Sequence, residues 1–158
     1  MRRAIVLAGK ACGRTSPNPM VGAVVVKRGK IVGEGYHSRA GQPHAEIEAL
    51  SRAGHNALSA DLYVNLEPCC HFGRTPPCTE AIIEAGIKRV FVGMKDPNKQ
   101  VSGKGLRSLK KHGIIIVSDV LKAECVKLNE SFIKVMKTGM PFVILKSAMS
   151  LDGKIATR

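Results

Sequence analysis

The sequence predicts an α/β fold, a mixed sheet with parallel strands in its later half and helices on both faces. Three observations predict it. A hairpin pattern opens the chain, a helix-then-strand step repeats three times after it, and glycines stop the helical patterns at Gly54, Gly86 and Gly139.

The elements follow in order. "MVGAVVVKRGKIVGEGYH" reads as strand 20–27, a turn at Arg28-Gly29, and strand 30–36. "HAEIEALSRAG" spaces Ala45, Ile47, Ala49 and Leu50 as a short helix before Gly54. "DLYVNLEP" is a strand closed by Pro68, and "TEAIIEAGIKRVFVGM" is a helix followed by strand 88–94. "GKGLRSLKKHG" and "IIIVSD" repeat the step. "VLKAECVKLNESFIKVMKTG" then predicts one amphipathic helix ending at Gly139, and "MPFVILKSAMSLDGKIATR" starts a further strand with a turn at Asp152-Gly153.

Composition bounds the class. The chain has 158 residues, 44% hydrophobic and 23% charged, which suits one globular domain. Only 4% of residues are aromatic, so the core must be aliphatic. Runs such as "MVGAVVV" are too short to span a bilayer. "MRRAIVLAGKACG" has no convincing signal-peptide core or cleavage site, and a cytoplasmic location is expected. Residues 1–87 carry 10 basic and 7 acidic side chains, and residues 88–158 carry 15 and 5. The formal charge of +13 therefore sits mostly in the second half. Such a face can bind nucleic acid or steer phosphorylated substrates, but a solvated lysine-rich surface is the simpler account.

The five cysteines are an odd number, and three of them crowd into "LEPCCHFGRTPPC", residues 66–78. Bunching beside His71 and several prolines points to a metal rather than a disulfide framework. Cys12 and Cys125 stand alone and read as small buried residues. A catalytic zinc wants three protein ligands and an open position. "HAE" at 44–46 and "PC" at 68–69 fit the zinc-deaminase pattern H-x-E…P-C-x-x-C, in which the Glu is acid/base rather than ligand. The final sulfur must then come from Cys78. Two thiolates neutralise Zn²⁺, so a nearby carboxylate, Glu46, is needed to take and return protons. Pro68 favours Cys69 over Cys70, and His71 remains a candidate ligand by chemistry alone. A closed structural zinc would use His44 or His71 with Cys69, Cys70 and Cys78, and would leave Glu46 without a role.

At these residues the sequence resembles the deaminase domain of the riboflavin-biosynthesis deaminase/reductase family (diaminohydroxyphosphoribosylaminopyrimidine deaminase). "TSPNPMVGAVVV", "HAE", "LEPCCHFGRTPPCTEAII", "DPN" and "TGMPFVILKSAMSLDGKIA" look like its blocks, in its order. The eight residues between Cys69 and Cys78 differ from the C-x-x-C of cytidine, tRNA-adenosine and mRNA-editing deaminases. The resemblance implies a cytidine-deaminase-like three-layer α/β/α fold with a mixed five-stranded sheet. It implies one catalytic Zn²⁺ per chain on His44, Cys69 and Cys78, with Glu46 as acid/base. The implied reaction is hydrolytic deamination of 2,5-diamino-6-ribosylamino-4(3H)-pyrimidinone 5′-phosphate at C2, in riboflavin biosynthesis. Asn18, His37, His71, Arg74, Asp96 and Asn98 match positions that line the family's substrate pocket.

The same resemblance divides the chain into a deaminase domain, 1–139, and the beginning of a reductase domain, 140–158. The rest of that reductase is absent from this sequence, which is either cut from a longer protein or served by a separately encoded reductase. A homo-oligomer is expected, with no nucleic-acid and no membrane partner. Two other readings stand beside this one: a zinc deaminase acting on a base in nucleic acid, suggested by the charge, and a zinc-stabilised module without catalysis.

Overall fold

The computed structural model describes residues 1–72, 76–98 and 101–155. Its elements are α1 (Arg2–Gly9), β1 (Gly22–Lys27), β2 (Lys30–Tyr36), α2 (Ala45–Ala53), β3 (Asp61–Leu66), α3 (Cys78–Glu84), β4 (Arg89–Met94), α4 (Lys104–Lys111), β5 (Ile115–Val117), α5 (Lys122–Leu128) and α6 (Glu130–Thr138). The five strands form one sheet in the order β2-β1-β3-β4-β5. β1 is antiparallel to both β2 and β3, whereas β3, β4 and β5 run parallel. The expected mixed sheet with a parallel later half is what forms.

Alternation along the strands sorts the side chains into two layers. Ala23, Val25, Leu62, Val64, Val90 and Val92 face α2, α3 and α4, where Ala49, Leu50, Ala53, Ile82, Leu106 and Leu109 complete the main core. On the other face Val24 meets Ala4 and Leu7 of α1, and at the carboxyl ends of β3 and β4 Leu66 and Met94 cluster with Cys125 of α5. These are the three layers, α/β/α. The core is aliphatic, as the scarcity of aromatics requires.

Two local features follow from particular glycines. Arg28 and Gly29 at the hairpin both have positive φ, 49° and 76°, the pairing that matches strand twist in a two-residue hairpin turn. Gly33 lets α2 lie directly on β2, because a Cβ there would sit 2.2 Å from the Ala49 carbonyl oxygen. A larger residue would push the helix away from the sheet, and with it the residue at the helix start.

Three expectations differ from the structure. The segment 120–139 is two helices, broken at Asn129, which is 1% exposed and has φ −108°, ψ 23°. Its side chain turns from the helix to a distant backbone: Met20 N–H donates to Asn129 Oδ1 (2.8 Å) and Asn129 Nδ2 donates to the Met20 carbonyl (2.9 Å). The strand expected after Gly139 does not form. Residues 141–149 are in neither helix nor strand, and Val143, Ile144 and Leu145 are exposed, with no strand paired to them among the described residues. Cys125 is buried as expected, but Cys12 is exposed in the turn after α1.

Candidate active site

The carboxyl end of β3 and the starts of α2 and α3 meet at one place. β3 ends at Leu66, and the chain passes through Glu67 and Pro68 to Cys69. His44 is the N-cap of α2 with extended backbone, ψ 158°, and Cys78 is the first residue of α3 after Pro77. The Cys78 N–H donates to Cys69 Sγ (3.3 Å), and the Thr79 N–H donates to the Cys69 carbonyl (3.2 Å). The Cys78 N–H at the helix start thus favours a thiolate on Cys69, and the Thr79 N–H fixes the Cys69 backbone beside it.

His44 Nδ1, Cys69 Sγ and Cys78 Sγ lie within 4.8 Å of one another. Nδ1 is 3.2 Å from Cys78 Sγ and 3.6 Å from Cys69 Sγ. A tetrahedral zinc with ordinary Zn–N and Zn–S bonds separates such N and S atoms by about 3.6 Å. One nitrogen and two sulfurs at this spacing therefore fit zinc in both chemistry and size. Among the described residues, neither Cys70 nor His71 joins this group. Cys70 is partly buried, which raises its thiol pKa, and His71 is exposed.

The charges of the trio are tuned by one another. The Cys78 side chain and then His44 hold the Cys69 thiol down to about 4, while the Cys69 thiolate and burial push Cys78 well above the ordinary thiol range. The hydrogen bond to Cys69 raises His44 despite its burial. Glu46, in the first turn of α2 and only 3% exposed, is pushed up to about 7, mainly by burial and then by the Cys69 charge.

A cleft of about 530 Å³ opens beside these residues. Asn18, His37, His44, Glu46, Cys69, His71, Asp96 and Asn98 all line it; Cys78 is buried behind it, and Arg74 lies outside the described residues. Buried His37 packs its ring edge-on against His44, with centroids 5.4 Å apart. Its Nδ1 lies 3.1 Å from the Pro43 carbonyl, and its Nε2 lies 3.0 Å from Asn18 Nδ2. Burial lowers its pKa, favouring the neutral ring that donates from Nδ1 and accepts at Nε2. Asp96 is held up to about 6 by burial, and its Oδ1 accepts the Asn98 N–H at 2.8 Å.

Sequence reasoning missed part of this cleft. Phe132 and Met136, one turn apart on α6, form an apolar wall, and Glu67 contributes a buried carboxylate. The i, i+4 spacing was visible in the helical pattern, but not the direction in which it faced. Glu67 had as its signal only its place before Pro68-Cys69.

The geometry agrees with the known proteins this chain is similar to. Residues 1–94 match the family model of the cytidine and deoxycytidylate deaminase zinc-binding region. The riboflavin biosynthesis protein RibD of Haemophilus influenzae is 56% identical over 156 residues, covering 99% of this chain and 42% of that protein. The crystal structure of a Thermotoga maritima diaminohydroxyphosphoribosylaminopyrimidine deaminase/5-amino-6-(5-phosphoribosylamino)uracil reductase superposes with TM-score 0.92 at 52% identity, over 99% of this chain and 45% of that one. The Aspergillus oryzae Rib2 deaminase, solved in complex with DARIPP, gives 0.69 at 26% identity, over 86% and 91% of the two chains. The chain spans less than half the length of the curated relatives it matches. With a matched region covering more than half of its length, the chain belongs to the cytidine and deoxycytidylate deaminase zinc-binding family.

Proposed function

We propose that this chain carries out the zinc-dependent hydrolytic deamination of 2,5-diamino-6-ribosylamino-4(3H)-pyrimidinone 5′-phosphate to 5-amino-6-ribosylamino-2,4(1H,3H)-pyrimidinedione 5′-phosphate. The observation that carries the reading is the His44–Cys69–Cys78 trio beside buried Glu46 in one cleft. Its substrate comes from the names of the relatives: the Thermotoga protein is a deaminase of this class, and the Rib2 deaminase was solved with DARIPP.

His44, Cys69 and Cys78 would hold one zinc, which when bound supplies the Lewis acidity that lets water act as a nucleophile near neutral pH. Glu46 accepts a proton from the attacking water and delivers it to the departing amine, so that C2 exchanges its C–N bond for a C–O bond and ammonia leaves. Burial keeps bulk water away from this carboxyl, so the proton passes between water and substrate. Asn18, held by neutral His37, orients the pyrimidine. Asp96, Asn98 and His71, which line the cleft, contact the substrate, and Arg74, outside the described residues, is assigned to it by its place in the sequence between the two cysteines.

We assign residues 1–139 to the deaminase and residues 140–158 to the start of a following reductase. The length of the matched RibD proteins supports this division, as does the exposure of Val143, Ile144 and Leu145. A homo-oligomer in the cytoplasm completes the proposal, where a reducing environment suits the thiolate ligands. No nucleic-acid partner is proposed. No helix among the described residues is long and apolar enough to cross a membrane.

The test is ammonia release from the phosphorylated diaminopyrimidinone by zinc-loaded protein, with cytidine and single-stranded DNA as controls. Turnover of the first substrate alone supports the assignment, and turnover only of DNA would replace it.

A further inference from the structure

We propose that Glu67 is a positioning residue, which holds the Asp96–Asn98 turn in register with the cysteine-bearing end of β3. Glu67 is 3% exposed, and no ion pair forms to it among the described residues. Its carboxylate is instead met by backbone. Oε2 accepts the Gly103 N–H (2.9 Å) and the Asp96 N–H (3.3 Å), and Oε1 accepts the Leu106 N–H (3.3 Å). The Glu67 N–H in turn donates to the Met94 carbonyl (3.0 Å), one step beyond the β3–β4 ladder.

These bonds join three separate pieces of chain. Gly103 and Leu106 belong to the start of α4, where N–H groups have no acceptor within the helix. Gly105 seats that helix on the Pro68-Cys69 peptide, since a Cβ there would stand 2.2 Å from the Pro68 carbonyl oxygen. Asp96 belongs to the other wall of the cleft, and its own Oδ1 carries the bond onward to the Asn98 N–H. A helix cap alone would need only Gly103 and Leu106. The additional bond to Asp96 ties the cleft wall to a residue two positions from Cys69.

A buried carboxylate without a cation is costly, and three converging N–H donors offset that cost. Leucine at this position is close in size but offers no acceptor to any of the three donors. The Asp96–Asn98 turn then loses its fixed distance to Cys69, while His44, Cys69 and Cys78 keep their own contacts. A ligand bridging the two walls binds less well, with little change once it is seated.

The kinetic part of this inference rests on the deaminase reading; the structural part does not. The experiment compares wild type with Glu67→Leu by amide hydrogen exchange, zinc content and steady-state kinetics on the phosphorylated diaminopyrimidinone. The expected result is exchange at Asp96, Gly103 and Leu106 faster by about tenfold or more, with unchanged zinc and KM raised about tenfold. Meanwhile kcat stays within about threefold. Unchanged exchange at Asp96, or unchanged KM with normal wild-type turnover, overturns the proposal. A wild type without turnover would sink the deaminase reading, and the exchange data would still decide the clamp. If Glu67→Leu does not fold, wild-type exchange decides: protection of the Leu106 and Asp96 amides supports the clamp, and rapid exchange at both overturns it.

Discussion

Asn18 Nδ2 and His37 Nε2 are 3.0 Å apart, and the far nitrogen of the same ring meets the Pro43 carbonyl, one residue before His44. A single imidazole therefore links the residue assigned to the pyrimidine with the residue assigned to the metal. The linkage predicts energetic coupling. Asn18→Ala and His37→Ala should each lower kcat/KM by about tenfold, and the double variant should be hardly worse than either alone. Steady-state kinetics of the four proteins measure this. Additive losses would mean that the two side chains act independently.

The ligand set predicts different behaviour from adjacent cysteines. Cys69→Ser and Cys78→Ser should lose most of the bound zinc, whereas Cys70→Ser should keep about one zinc per chain. Metal analysis of purified proteins distinguishes them. Zinc loss in Cys70→Ser comparable to that in Cys69→Ser would point to a closed, four-ligand structural site.

Asp96 predicts a pH effect with a definite sign. Burial raises its folded-state pKa from 3.8 to about 6. Between those values the folded protein binds more protons than the unfolded chain, so the group's contribution to stability falls as pH rises through that window. Asp96→Asn should therefore be neutral near pH 4 and stabilising above about pH 6. Thermal melts of both proteins across this range test it. A stabilisation that is constant with pH, or larger in acid, would contradict the assignment.

Asn129 predicts a stability effect. Its side chain holds both the N–H and the carbonyl of Met20, and Asn65, fully buried on β3, donates to the same carbonyl (2.9 Å) and accepts the Gly22 N–H (2.8 Å). Asn129→Ala would leave the Met20 N–H without this partner, and should cost about 2–3 kcal/mol. Urea denaturation measures the loss; a change below about 0.5 kcal/mol would show that water replaces the side chain.

These residues also show where the sequence was legible. The strands could be read because alternation and β-branched runs report a buried sheet, and Arg28-Gly29 reports its own turn. His44, Glu46 and Cys69 could be read because zinc chemistry demands those residue types at that spacing. Asn129 could not, because its amphipathic surroundings continue the helical pattern, and only a partner 109 residues away explains the break. Glu67 could not either, since an acid beside a proline looks like a surface residue until three backbone segments close around it. The missing strand after Gly139 failed for a related reason. Local β propensity was present in "FVILK", but a strand needs a neighbour to pair with.

The central claim is that Glu46 moves protons beside a metal held by His44, Cys69 and Cys78. Glu46→Gln tests it most directly, with zinc content and ammonia release measured on the same preparation. The expected result is wild-type zinc with turnover reduced about 10²–10⁴-fold. Wild-type turnover with full zinc would contradict the account.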